Sequence, residues 1–230
     1  MNQLSALIAT VDSLTEVTAD HECTLPVVTY DGYTYETTRI GDQCWFAENL
    51  RTTTYNDGVV IDDELTAWSA ATSGMTTVHG QGTALEATNL ETYGRLYNFY
   101  AVETGKLCPS GWHVPSDDEW NQMQIHLGMD SAQSNVFSQI APGVGTKLKS
   151  TTGWANDGNG NNASGFNALP SGARHQNGNF MLLEEMAFYW TSSLGPISPI
   201  DRRLYATNSN VARNQSGGSN WGWAVRCVKD

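Results

Sequence analysis

No run of about 20 apolar residues occurs in this 230-residue chain, so the sequence carries no candidate membrane-spanning helix. Positive charge is also scarce. Lys and Arg number 12 against 24 Asp and Glu, a formal net charge of −12. A chain this acidic is repelled by phosphate backbones, so nucleic acid is not an expected partner. None of the four cysteines, Cys23, Cys44, Cys108 and Cys227, sits in a C-x-x-C pair, which argues against a zinc knuckle or a thioredoxin-type motif. Their even number permits two disulfides in any of three connectivities, or four buried thiols. No basic residue precedes Leu4-Ser5-Ala6-Leu7-Ile8-Ala9, so the charged start of a signal peptide is missing. Export by another route, a signal already removed, or release from a cytoplasm after assembly, as for phage parts, all fit.

Glycine and aromatic rings are plentiful, with 22 Gly, 8 Trp and 9 Tyr. This mixture predicts an aromatic core wrapped in turn-rich loops. Residues 1–20 form a first unit. Leu4, Leu7, Val11 and Leu14 follow the three-four-three spacing of a coiled-coil seam. Two heptads are too few to stand alone. The segment is expected to be an oligomerisation stub, making a homo-oligomer, or a helix packed on the domain. Residues 21–230 form the main domain.

From Val27 the period becomes two. Val27-Val28-Thr29-Tyr30, Asp31-Gly32 and Tyr33-Thr34-Tyr35 predict a hairpin, and a second follows through Gly41-Asp42 to Cys44-Trp45-Phe46. Residues 57–89 predict a long loop. Leu96, Tyr97 and Tyr100 predict one short helix over 93–102. Ser116 and Glu119 have the spacing of a capping box, and Trp120, Met123 and Leu127 form the apolar stripe of the helix that follows, ended by Gly128. Short strands are expected near 166–169, 180–183 and 188–190, and a central last strand over 223–228. Two helices, several short strands and much loop predict an α+β fold.

Residues 194–220 stand apart. They are rich in Asn, Ser, Arg and Gly and show neither helical period nor strand alternation. Core-like segments flank them, Phe188-Tyr189-Trp190 before and Trp221-Gly222-Trp223-Ala224-Val225 after. A polar, irregular loop held at both ends is a display surface, and its composition is that of a paratope. The plain alternative is an ordinary surface loop. The candidate ligand-binding residues are Asp201, Arg203, Tyr205, Asn208, Ser209, Asn210, Arg213, Asn214, Ser216, Ser219, Asn220 and Trp221. Trp221 is expected at the rim of the binding face. Of Trp45, Phe46, Trp112, Trp120 and Trp190, most are expected in the core rather than on a carbohydrate platform.

Gly41-Asp42-Gln43-Cys44-Trp45-Phe46-Ala47-Glu48-Asn49-Leu50, Tyr93-Gly94-Arg95-Leu96-Tyr97-Asn98 and Cys108-Pro109-Ser110-Gly111-Trp112-His113-Val114-Pro115 occur in that order. Gly165-Phe166-Asn167-Ala168-Leu169-Pro170, Tyr189-Trp190-Thr191-Ser192-Ser193 and Val225-Arg226-Cys227 follow. The series resembles the Fibrobacter succinogenes major paralogous domain across about residues 27–230. That family is similar to the formylglycine-generating-enzyme branch of the C-type lectin fold. The resemblance implies a C-type-lectin-like α+β domain whose N- and C-terminal strands pair, with long loops on one side. It also implies a Cys108–Cys227 disulfide, leaving Cys23 to Cys44. More narrowly, the chain resembles variable proteins of diversity-generating retroelements, which place diversified residues just before the final strand of this fold. Adenine replacement in Asn codons yields the residue types that dominate 201–210, Arg213-Asn214 and Ser219-Asn220, with Gln215, Trp221 and Trp223 as fixed scaffold.

Other chemistry is thinly represented. The five histidines, at 21, 79, 113, 126 and 175, share no spacing that recruits a nucleophile; His113, between Trp112 and Val114, is expected in the core making a hydrogen bond. Asp157-Gly158-Asn159-Gly160-Asn161-Asn162 opens like a calcium-binding loop, but the twelfth position is Ala168 rather than Glu. Calcium is the candidate cofactor there, against a turn whose Asx side chains serve its own backbone. No cofactor is required. The expected function is non-catalytic display to a protein or glycan on another surface, from a virion or cell exterior. The alternatives are an oxidase of the formylglycine-generating type, which uses a pair of nearby cysteines to bind copper, or a structural cell-surface module.

Overall fold

A computed structural model describes residues 23, 27–63 and 65–230. The seam expected at Leu4, Leu7, Val11 and Leu14 lies outside the described residues. β1 (Val27–Tyr30) and β2 (Tyr33–Ile40) form the first hairpin, with Tyr30 opposite Tyr33. Its turn needs positive φ at both central residues, and Asp31 and Gly32 take 48° and 75°. The second hairpin joins β2 to β3 (Gln43–Phe46) across Gly41-Asp42. The first sheet runs β1-β2-β3-β13-β6, where β6 is Trp112–His113 and β13 is Val228–Lys229. The end of the described chain therefore sits centrally, with Val228 opposite both Trp45 and His113. That strand is shorter than expected. Trp223 and Ala224 join instead by single bridges to Tyr97 and Tyr189.

The second sheet runs β7-β12-β11-β10-β8-β9. Its strands are β7 (Ser138–Ile140), β8 (Ser171–Arg174), β9 (Phe180–Leu183), β10 (Met186–Leu194), β11 (Pro199–Tyr205) and β12 (Val211–Asn214). β4 (Thr76–Thr77) and β5 (Leu96–Tyr97) make a small pair. The α-helices are α1 (Glu86–Tyr93), α2 (Phe99–Glu103), α3 (Asp117–His126) and α4 (Val144–Leu148). The architecture is α+β with short strands, as the sequence predicts.

Three local expectations are corrected. The helix expected over 93–102 is the end of α1, then β5, then α2. Gly94 closes α1, and the Asn98 side chain starts α2 by accepting from the Ala101 N–H at 3.1 Å. The loop expected over 57–89 contains a 3-10 helix, β4 and the start of α1. Residues 166–169 form no strand, and Ala168 makes one parallel bridge to Lys149.

α3 starts as the capping box predicts. Ser116 Oγ accepts from the Glu119 N–H at 3.2 Å, and Glu119 Oε2 accepts from the Ser116 N–H at 2.7 Å. A cap of this kind contributes about 1 kcal/mol. Trp120 and Met123 are fully buried. Trp120, Trp45, Phe166 and Tyr189 interlock by tilted and edge-on ring contacts in one core. Tyr35, Phe46, Phe99, Trp190 and Trp223 centre a second. Disulfides join Cys23 to Cys44 and Cys108 to Cys227, 119 residues apart. On the chain-entropy model, closing so long a loop contributes about 4–5 kcal/mol.

Candidate functional site

The expected irregular display loop is largely a strand pair. β11 and β12 lie antiparallel, with Arg202 opposite Arg213 and Leu204 opposite Val211. Alternation is present but disguised, because inward positions hold arginines. Arg202 Nη2 and Arg213 Nη2 meet the two carboxylate oxygens of Asp117 at 2.7 and 2.6 Å. Burial pushes the Asp117 carboxyl up, but the hydrogen bonds and charges of Arg213 and Arg202 outweigh it and hold it below the usual carboxylate range.

Two candidate residues are therefore not surface residues. Arg213 is buried in this network, and Asp201 is fully buried on the opposite face of β11. Neither charge is left alone. Asp201 accepts from Arg203 Nε and Nη2 at 2.6 and 3.1 Å. Desolvation still raises its pKa, against the pull of Arg203 and Arg202.

The other candidates fall into two groups. Asn208, Ser209 and Asn210 are half-buried in the β11–β12 connection. Ser209 accepts from the Gly145 N–H at 2.9 Å. Lys149, itself buried, donates from Nζ to the carbonyls of Gly158, Tyr205 and Asn208. One carbonyl of the calcium-like loop, that of Gly158, thus faces an ammonium. The loop's Asx oxygens serve backbone N–H groups, Asn159 from Trp154, Asn161 from Ala163 and Asn162 from Asn167. Among the described residues, no group of three or more His, Cys, Asp or Glu is placed to hold a metal ion.

The second group gathers at a pocket of about 200 Å³ on the other side of the sheet. Register explains the gathering. Phe188 lies opposite Arg203, and Met186 opposite Tyr205, so these four share the face of Asp201. β9 adds Met181 and Leu182, and the return to the last strand adds Ser216, Gly217, Trp221 and Trp223. Arg203 donates to Ser216 Oγ at 2.7 Å and lies 5.3 Å from the Phe188 ring and 5.5 Å from the Trp223 ring. Gly217 is required by packing, since a Cβ there would sit 2.2 Å from Trp223 Cη2. Trp221 is half-buried at the rim, edge-on to His175 at 4.4 Å. Ser219 and Asn220, partly buried, precede Trp221 in the chain and do not line the pocket. Their carbonyls accept from Phe99 N–H at 2.9 Å and Trp68 Nε1 at 2.7 Å. Ser216 is exposed, and Tyr205 and Asn214 are half-buried.

Of the candidate residues, then, Arg203, Ser216 and Trp221 line one pocket. Sequence reasoning missed its other walls. Met181 and Leu182 lie in a segment expected to be a strand, but nothing in one sequence links that strand to residues 203–221.

A larger cleft of about 440 Å³ is lined by Glu36, Glu48, Asn49, Arg51, Asn167 and Arg226 among others. Much of its polarity is used internally. Glu48 accepts from Tyr33 Oη, Arg51 Nη2 and the Glu36 N–H. Arg226 donates to Asn49 Oδ1 at 2.7 Å, Phe46 O at 3.0 Å and Asn167 O at 3.1 Å, and also to Phe166 O.

His113 departs from its expected core role. It is half-exposed between two carboxylates, Nε2 at 2.7 Å from Glu119 and Nδ1 at 2.6 Å from Asp230. The Glu119 hydrogen bond, aided by Asp230, lifts its pKa to about 9. A raised pKa stabilises the fold fully below the unfolded value of about 6.5 and loses that effect as pH rises through the folded value. The melting-temperature deficit of His113→Ala is therefore expected to be largest at pH 6 and to shrink by pH 10. An equal deficit at every pH would mean that the ring is not held as a cation.

Fold and pocket together define an α+β domain with a small aromatic-lined recess beside a charged sheet. The family model of the Fibrobacter succinogenes major domain matches residues 38–229, and the chain belongs to that family. No curated protein and no solved structure matches the chain. Among the described residues, no helix is long and apolar enough to cross a membrane.

Proposed function

We propose that the protein is a non-catalytic ligand-binding domain with a C-type-lectin-like fold. It presents the recess of Arg203, Ser216 and Trp221 to a protein or glycan on another surface. The observation that carries this reading is the pocket itself. It opens among Trp, Met, Phe and Arg side chains, the types enriched at interface centres. Cys108 and Cys227, the pair that an oxidase of the formylglycine-generating type would need as copper ligands, are bonded to each other. Two disulfides suit a secreted or surface location. If retroelement diversification acts on the tract, it is expected at positions such as Asn208, Asn214, Ser216 and Asn220. Asp201 and Arg213 are fixed by buried ion pairs.

The test is selection from a displayed random-peptide library and a glycan array, with the wild type, Trp221→Ala and Ser216→Arg. Ser216 is exposed but accepts from Arg203 at 2.7 Å, so Ser216→Arg is expected to cost about 1 kcal/mol and leave the fold intact. Binders of the wild type are expected to be lost with both variants while both remain cooperatively folded. Binders indifferent to both changes, or none from either source, would reject the reading.

A further inference from the structure

The size and walls of the recess select the chemistry of its occupant, an inference that rests on the ligand-binding reading above. At about 200 Å³ it falls below the range of drug-sized sites, roughly 300–1,000 Å³. It slightly exceeds the engineered cavity of about 150 Å³ that holds benzene. One aromatic side chain fits, and an oligosaccharide does not. Much of the wall is apolar, with Met181, Leu182, Met186, Phe188, Trp221 and Trp223. A pyranose enclosed there would leave hydroxyls without partners, which is unfavourable inside a protein.

Charge complementarity narrows the choice further. Arg203 grips both oxygens of Asp201 and also Ser216, so its guanidinium is held in place and its charge is offset. An incoming Lys or Arg would meet that guanidinium. An incoming carboxylate would find that guanidinium already matched by Asp201, in a chain of net charge −12. A neutral ring meets neither penalty, and its π-face attracts the guanidinium, as the rings of Phe188 and Trp223 already do. Two methionines supply a wall that adjusts to ring shape. We propose that the recess receives one uncharged aromatic side chain, Phe, Tyr or Trp, projecting from a protein partner.

The test uses the full chain labelled at the methionine methyls and followed by NMR. The probes are N-acetyl-phenylalaninamide, N-acetyl-leucinamide, N-acetyl-lysinamide and methyl α-mannoside, titrated separately. The phenylalanine amide is expected to shift the Met181 and Met186 methyls and to bind about tenfold more tightly than the leucine or lysine amide. Trp221→Ala and Ser216→Arg should each weaken that response, and retained dispersion of the remaining methyls shows that the variants are folded. A response to the glycoside alone, or an equal response to the lysine amide, overturns the aromatic occupant and leaves the ligand-binding reading standing. Silence from every probe also overturns it, while the library and array selection decides the broader reading independently.

Discussion

Asp117→Ala is expected to destabilise the protein by about 3–5 kcal/mol, the cost of removing one partner from a buried ion pair. The Asp117 carboxylate faces Arg202 and Arg213 at 2.7 and 2.6 Å, and both guanidinium groups are buried. Arg213 Nε also donates to it at 2.9 Å, across 96 residues of sequence. Without Asp117, two cations remain inside with no anion of their own. Asp201, across β11, is engaged by Arg203. Urea unfolding of the wild type, Asp117→Ala and Asp117→Asn at pH 7 measures the effect. A loss below about 1 kcal/mol in both variants would class the network with exposed ion pairs. The pH dependence has a definite sign. The carboxyl pKa is held down in the fold, so the stabilisation is present above the unfolded value of about 3.9 and is lost as pH falls through the lower folded value.

Arg226→Ala is the second large effect. This fully enclosed side chain donates to the carbonyls of Phe46, Phe166 and Asn167 and to Asn49 Oδ1, and its guanidinium lies 4.4 Å from the Phe166 ring. Truncation leaves buried acceptors unpaired and opens a cavity, at an expected cost of about 3–5 kcal/mol. Arg226→Lys keeps the charge but loses the planar fork, and should fall between the two. Melting curves of all three proteins decide it. A near-native Arg226→Ala would mean that the segments around Phe46, Asn49 and Phe166 hold together without it. Those segments carry the family resemblance, so the motifs that identify the chain are placed as architecture, away from the recess of Arg203 and Trp221.

The display tract shows why function was harder to read than fold. Strand detection relies on apolar residues at alternate positions. In β11 and β12 the inward positions at 202 and 213 are arginines, so two buried strands looked like polar loop. Asp201 was misplaced for the same reason, since its carboxylate is matched by Arg203, two residues on. The calcium-like loop had a similar ambiguity. Its Asx pattern was visible, but the ammonium of Lys149 that its Gly158 carbonyl meets comes from the end of α4.

Signals confined to a few residues were legible in the sequence. The Asp31-Gly32 turn, the Ser116–Glu119 box and the stripe of Trp120 and Met123 each depend on hydrogen bonds or periodicity within one or two turns of chain. The ordered motifs identified the family and, through it, the Cys108–Cys227 pairing. Only the tertiary structure decided which polar residues are buried and which line the recess. Burying Arg202 and Arg213 depends on a carboxylate brought from α3. The recess depends on β9, β10, β11 and the 216–223 return meeting on one side of a sheet, and separations of that length leave no period in the sequence.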